Sequence, residues 1–174
     1  MITAALIIVA LIAAVLLAVA SAKPDTFRVQ RSASIKAAPE KIFPLISDLK
    51  SHLAWSPFEK DPGMKRTFIE PVNGRGAAYE WDGNRKVGAG RIQVMTVSAP
   101  FLVTMELMMF RPFKAHNLVE FTVEPKGEAT NVSWAMQGRQ PFMAKVMGTL
   151  IDCDKMVGRE FETGLAKLKA LAEA

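Results

Sequence analysis

The stretch from Ile2 to Ala20, ITAALIIVALIAAVLLAVA, carries no charge and one polar side chain, Thr3. A helix rises about 1.5 Å per residue, so a run of this length matches the roughly 30 Å hydrocarbon core of a bilayer. A helix apolar on every face has no place in a small domain unless something large covers it. The chain therefore divides in two. Residues 1–22 are expected to be an N-terminal membrane anchor, and residues 23–174 a single domain of ordinary size.

A cleaved signal peptide is the alternative. Ala20-Ser21-Ala22 fits a small-residue cleavage site, but no Lys or Arg precedes the run, and the run exceeds a usual signal-peptide core. Lys23, Arg28, Arg31 and Lys36 follow it against Asp25 alone. Positive flanks tend to stay cytoplasmic, which favours a single-pass anchor with a cytoplasmic domain. Cleavage would export the domain instead.

The formal net charge of +5 is modest and suits an anionic membrane surface. No basic cluster is interleaved with aromatics and no zinc-finger spacing occurs, so nucleic acid is not an expected partner. Cys153 is the only cysteine, which rules out an internal disulfide. His52 and His116 have no companions at metal-ligand spacing, so no metal or other cofactor is expected. No nucleophile stands at motif spacing from a base, and no glycine loop could cradle phosphate. The sequence therefore assigns no catalytic residue.

Periodicity orders the domain. In Phe27 to Ala37 small and apolar residues alternate with polar ones, apart from Arg31, as in a strand. Pro39 opens a short helix that Pro44 should limit or bend, and Asp48 suits the cap of a second short turn through Leu53. Trp55 to Gly63, WSPFEKDPG, reads as a loop. Six runs then alternate with period two between short turns: Lys65–Glu70, Ala77–Asp82, Gly88–Ser98, Leu102–Phe110, His116–Glu124 and Asn131–Gly138. That is an antiparallel meander with one apolar face and one wet face. After a short helical segment from Phe142 to Leu150, a long helix is expected over Ile151–Ala172. Its apolar stripe would be Cys153, Val157, Phe161, Leu165 and Leu168. A curved sheet gripping one long helix leaves a cavity between them if the small helices hold the mouth open. The fold class is thus α+β, a curved antiparallel sheet wrapped around a C-terminal helix, preceded by a membrane helix.

Several words fit that order: Val29-Gln30-Arg31-Ser32-Ala33-Ser34-Ile35, Ala38-Pro39-Glu40-Lys41-Ile42-Phe43, Trp55-Ser56-Pro57-Phe58, Asp61-Pro62, Tyr79-Glu80-Trp81, Gly88-Ala89-Gly90-Arg91, Trp134 and Phe161-Glu162. Together they resemble the SRPBCC superfamily of START-like, birch-pollen-allergen-like proteins, and within it the polyketide cyclase/dehydrase and lipid-transport group. The resemblance spans nearly all of Phe27 to Leu171. It implies a helix-grip fold with a deep hydrophobic cavity that binds lipids or other apolar, often cyclic, molecules.

On the apolar faces lie Tyr79, Trp81, Val94, Met105, Leu107, Met109, Phe121, Trp134 and Met136, with Val157 and Phe161 opposite on the helix. Any one of them serves plain core packing, but as a group they suit a ligand cavity, because methionines adapt to irregular apolar shapes. Trp55, Pro57 and Phe58 are expected at the mouth, as a plug or a lid. Glu59, Asp61 and Asp82 read as solvated loop charges. The leading functional expectation is a carrier or sensor of a hydrophobic small molecule or lipid. The alternatives are a cyclase or dehydratase working in the same cavity, and a partner-binding module whose core is filled by its own side chains.

Overall fold

The computed structural model describes residues 2–174, and the side chains of all of these except Ala4 and Ala5. Helix α1 covers Ile2–Ala22. The elements that follow are β1 (Thr26–Ile35), α2 (Pro39–Ser47), α3 (His52–Trp55), β2 (Lys65–Ile69), β3 (Ala78–Asp82), β4 (Ala89–Ser98), β5 (Leu102–Arg111), β6 (Ala115–Lys126), β7 (Ala129–Arg139), α4 (Phe142–Leu150) and α5 (Cys153–Glu173).

All seven strands form one antiparallel sheet in the order β1-β7-β6-β5-β4-β3-β2. Strands β2 to β7 form a meander, and β1 closes beside β7, so chain neighbours are sheet neighbours except across the α2–α3 excursion. Period-two alternation gives the sheet its inner face: Val103 and Met105 on β5, Val119, Phe121 and Val123 on β6, and Val132 and Trp134 on β7 are buried. Against them pack Ile42, Phe43 and Ile46 of α2, Trp55 of α3, and Phe161, Leu165 and Leu168 of α5.

Local differences from the sequence expectation have physical causes. Helix α2 runs on through Pro44. Trp55 ends α3, not a loop, and is buried, with Nε1 donating to Leu45 O at 2.8 Å. Asp48 closes α2 instead of opening α3, and its carboxylate accepts from the Lys50 amide at 2.9 Å. Asp152 is the N-cap of α5, accepting from the Lys155 amide, so the helix starts at Cys153. Cys153 is exposed and leaves the apolar stripe. The buried face begins at Gly158 and continues through Phe161, Gly164, Leu165, Leu168 and Ala172. Arg31, out of phase on β1, reaches α5 and pairs with Asp154 and Glu162, each at 2.9 Å.

The expectation of a membrane-spanning helix is not carried by the described residues: among them no helix is long and apolar enough to cross a membrane. α1 as a backbone element is 21 residues long and uncharged, and Leu6, Leu11, Ile12 and Val15 are exposed. Its C-terminal end is held to the domain. Lys23 Nζ donates to Gly148 O at 2.5 Å, and the buried Lys145 of α4 pairs with Asp25 at 2.5 Å.

Candidate ligand cavity

Between the inner sheet face, α3 and α5 lies a hollow of about 440 Å³. Tyr79 and Trp81 reach it from β3, Leu107 and Met109 from β5, Phe121 from β6, Trp134 and Met136 from β7, and Val157 and Phe161 from α5, with Trp55 and Phe58 above. Three residues of the expected set do not line it. Val94 and Met105 are packed into the solid core, and Pro57 wedges against α5 at Gly164. The wall also includes Met64, Ile92, Val119, Met156, His52, Asn117, Lys60 and Glu160. Ile92 and Val119 share the inward phase of their strands and were legible in that way, and Asn117 shares the phase of Val119 but is polar. The other five lie on loops or helix flanks, where no strand period marks them.

An aromatic cluster shapes the inner end. Trp134 stacks on Phe161 with centroids 4.2 Å apart and planes 8° apart, and Trp55 meets Trp134 edge-on at 5.6 Å. Glycines make the room. Gly164 has no Cβ where Trp134 Cζ3 lies, 2.7 Å from the position that atom would take. Gly90 stands directly opposite Trp81 across β3 and β4, and a Cβ there would be 2.6 Å from the indole. The nitrogens of Trp55 and Trp81 are spent on backbone carbonyls, whereas Trp134 Nε1 is buried without a hydrogen-bond partner.

His52 forms part of the roof. Its Nε2–H donates to Ile46 O at 2.6 Å, its ring lies 4.8 Å from that of Trp55, and burial lowers its pKa to about 4, leaving it neutral.

At the mouth, the loop between α3 and β2 is tied down by charges that the sequence presented as solvated. Glu59 Oε2 accepts from Arg66 Nε at 2.8 Å and from Nη2, and Glu59 Oε1 accepts from the Tyr79 hydroxyl at 3.2 Å. The Glu59 side chain is only 12% exposed, which removes it from the class of free surface charges. Burial, and then the Glu59 carboxylate, raise the Tyr79 pKa, so the phenol keeps its proton. Lys60 reaches across to Glu160 of α5 at 2.6 Å, and Asp61 accepts from the Gly63 and Asn84 amides. Asp82 pairs with Arg111, and His116 with Glu106 at 2.6 Å on the outer sheet face. Among the described residues no group of His, Cys, Asp and Glu is arranged to hold a metal.

A larger hollow, about 970 Å³, lies on that outer face between Pro24, Arg28, Met95, Glu106, His116 and Arg139. It is broad and open, so it would leave a small apolar guest in contact with water. The inner cavity is less open and more apolar, and is the better candidate despite its smaller volume.

Residues 26–173 match the family described as polyketide cyclase/dehydrase and lipid transport. No curated protein is significantly similar in sequence. Solved structures share the fold at low identity. Protein CV1439 from Chromobacterium violaceum is 15% identical over 87% of this chain and 99% of its own, with a TM-score of 0.61. The Aha1 dimer from Colwellia psychrerythraea is 15% identical over 84% and 96%, at 0.60. Major latex-like protein 151 from Panax ginseng is 11% identical over 87% and 100%, also at 0.61. At such identities the likeness concerns the fold alone.

Proposed function

Because this chain belongs to the polyketide cyclase/dehydrase and lipid-transport family of the SRPBCC superfamily, we propose that it holds a hydrophobic small molecule or lipid in the cavity under α5. The observation that carries the reading is the partly open hollow of about 440 Å³ walled largely by aromatic, methionine and aliphatic side chains. That volume is in the range of small-ligand sites, and burying an apolar guest in it gains about 25 cal/mol for each Å² removed from water. A core filled by its own side chains would leave no such space. Mass spectrometry of an organic extract of the purified protein tests the reading: a stoichiometric apolar molecule is expected, and a clean extract from protein that also binds no added apolar probe sinks it.

The same proposal places the domain at a membrane through α1, with residues 23–174 on the cytoplasmic side. Its support is the uncharged 21-residue helix and the basic residues Lys23, Arg28, Arg31 and Lys36 that follow. A second support is α4, which packs beside α1 and leaves Met143, Met147 and Leu150 exposed near it. A tethered cavity would take up lipid-soluble ligands where they concentrate.

A further inference from the structure

The Tyr79 hydroxyl has one proton and two lone pairs. Its proton is directed at Glu59 Oε1, at 3.2 Å. A carboxylate oxygen can only accept, so this hydrogen bond has one polarity. Glu59 cannot readily turn away, because its second oxygen is held by two nitrogens of Arg66, and Arg66 is itself fixed by donating to Met64 O at 2.9 Å. The phenol ring is equally constrained: Phe68, directly across from it on β2, stacks on it at 5.4 Å, and Trp81 flanks it at 5.6 Å. The result is a wall residue whose oxygen has its donor spent and its acceptor capacity left over.

We propose that Tyr79 Oη is the acceptor that selects the cavity's ligand, favouring apolar molecules that carry an O–H or N–H donor over isosteres that carry only an ether or ketone oxygen. Glu59 and Arg66 are positioning residues that set this polarity. The inference rests on the ligand-binding reading above and adds the chemical class to it. A ligand offering only an acceptor would confront Tyr79 oxygen with oxygen, and could bond only by taking the proton from Glu59. That would leave a nearly buried carboxylate oxygen without its partner. An alcohol or phenol donates into the lone pair already present and disturbs nothing.

The test compares two probes of one shape, 2-naphthol and 2-methoxynaphthalene, by equilibrium dialysis against the full chain in nanodiscs, with empty nanodiscs subtracted. Wild type is expected to bind the naphthol roughly tenfold more tightly, the worth of one good hydrogen bond. Tyr79→Phe should bring the ratio near one, by weakening naphthol and by relieving the oxygen–oxygen contact of the methoxy probe, and methoxy binding no weaker than in wild type shows that the cavity remains folded. Glu59→Gln is the second variant. The new amide can donate to Tyr79 Oη and free its proton, so the methoxy probe should gain and the preference shrink or invert. Equal affinities in wild type, or a preference that persists in Tyr79→Phe, overturn the proposal while leaving the ligand-binding reading standing. If neither probe binds, this proposal falls, and the ligand-binding reading falls with it only when the organic extract is also clean.

Discussion

The guanidinium of Arg31 lies across the backbone of Gly158, where a Cβ would stand 2.0 Å from Nη2. From there it pairs with Asp154 and Glu162 on the same helix, and the helix is thereby fastened to β1. The one polar residue on the inward phase of β1 is thus a tie to the gripped helix, and the glycine is what lets it lie flat.

Gly158→Ala should therefore displace Arg31, a flexible side chain that can swing aside. The lost contacts oppose the gain of about 1 kcal/mol that alanine brings in a helix interior. In an Arg31→Ala background only the gain should remain. Thermal unfolding of the two single variants and the double variant measures the coupling, and strict additivity would show that the two residues do not interact. Gly90→Ala is expected to be worse, at about 1–3 kcal/mol, because its Cβ would meet the Met108 carbonyl at 2.5 Å as well as Trp81.

His52 gives the protein an acid-side dependence. Its folded pKa of about 4 lies below the ordinary imidazole value of 6.5, because burial disfavours the charged ring. The unfolded chain thus binds the extra proton first. The contribution of His52 is fully present above pH 6.5, falls as pH drops from 6.5 to about 4, and is constant below, where both states are protonated. Its size is at most roughly 3 kcal/mol. Urea unfolding across that window should be flatter for His52→Phe than for wild type, and parallel curves would refute the assignment.

Filling the cavity separates a binding site from a packing void. Met136→Trp or Leu107→Phe adds bulk to two wall residues. Either should reduce co-purifying apolar material several-fold while leaving the melting temperature unchanged or higher. Unchanged extract mass spectra from a folded variant would place the ligand elsewhere.

Attachment through α1 predicts that the full chain stays with membranes after a high-salt or carbonate wash, and that removal of residues 1–22 releases a folded domain. An intact mass that begins at Lys23 would instead establish cleavage. Met143→Glu with Leu150→Glu on α4 should weaken vesicle binding of the released domain if that face meets lipid, and equal flotation would show that it does not.

The sequence by itself determined the element order, the inward phase of every strand but β2, and the uncharged first helix. These are local properties: side chains alternate along a strand and recur at about 3.6 along a helix, so a face can be read before its partner is known. Tyr79, Trp81, Leu107, Phe121, Trp134 and Phe161 were legible as inward for that reason. Val94 and Met105 have the same phase, yet they fill the core, and only the tertiary structure decided which inward residues pack and which surround a hollow. That depends on how far α5 stands from each part of the sheet, a distance no period encodes. The charges of the mouth were hidden for a related reason. Glu59 looks like any loop carboxylate until folding brings Arg66 and Tyr79 against it, and Arg31 looks like an error of phase until Gly158 arrives from the far end of the chain. Periodicity reports whether a residue faces in, whereas a polar residue's role is set by the group it meets there, and that group is fixed only when distant segments are in place.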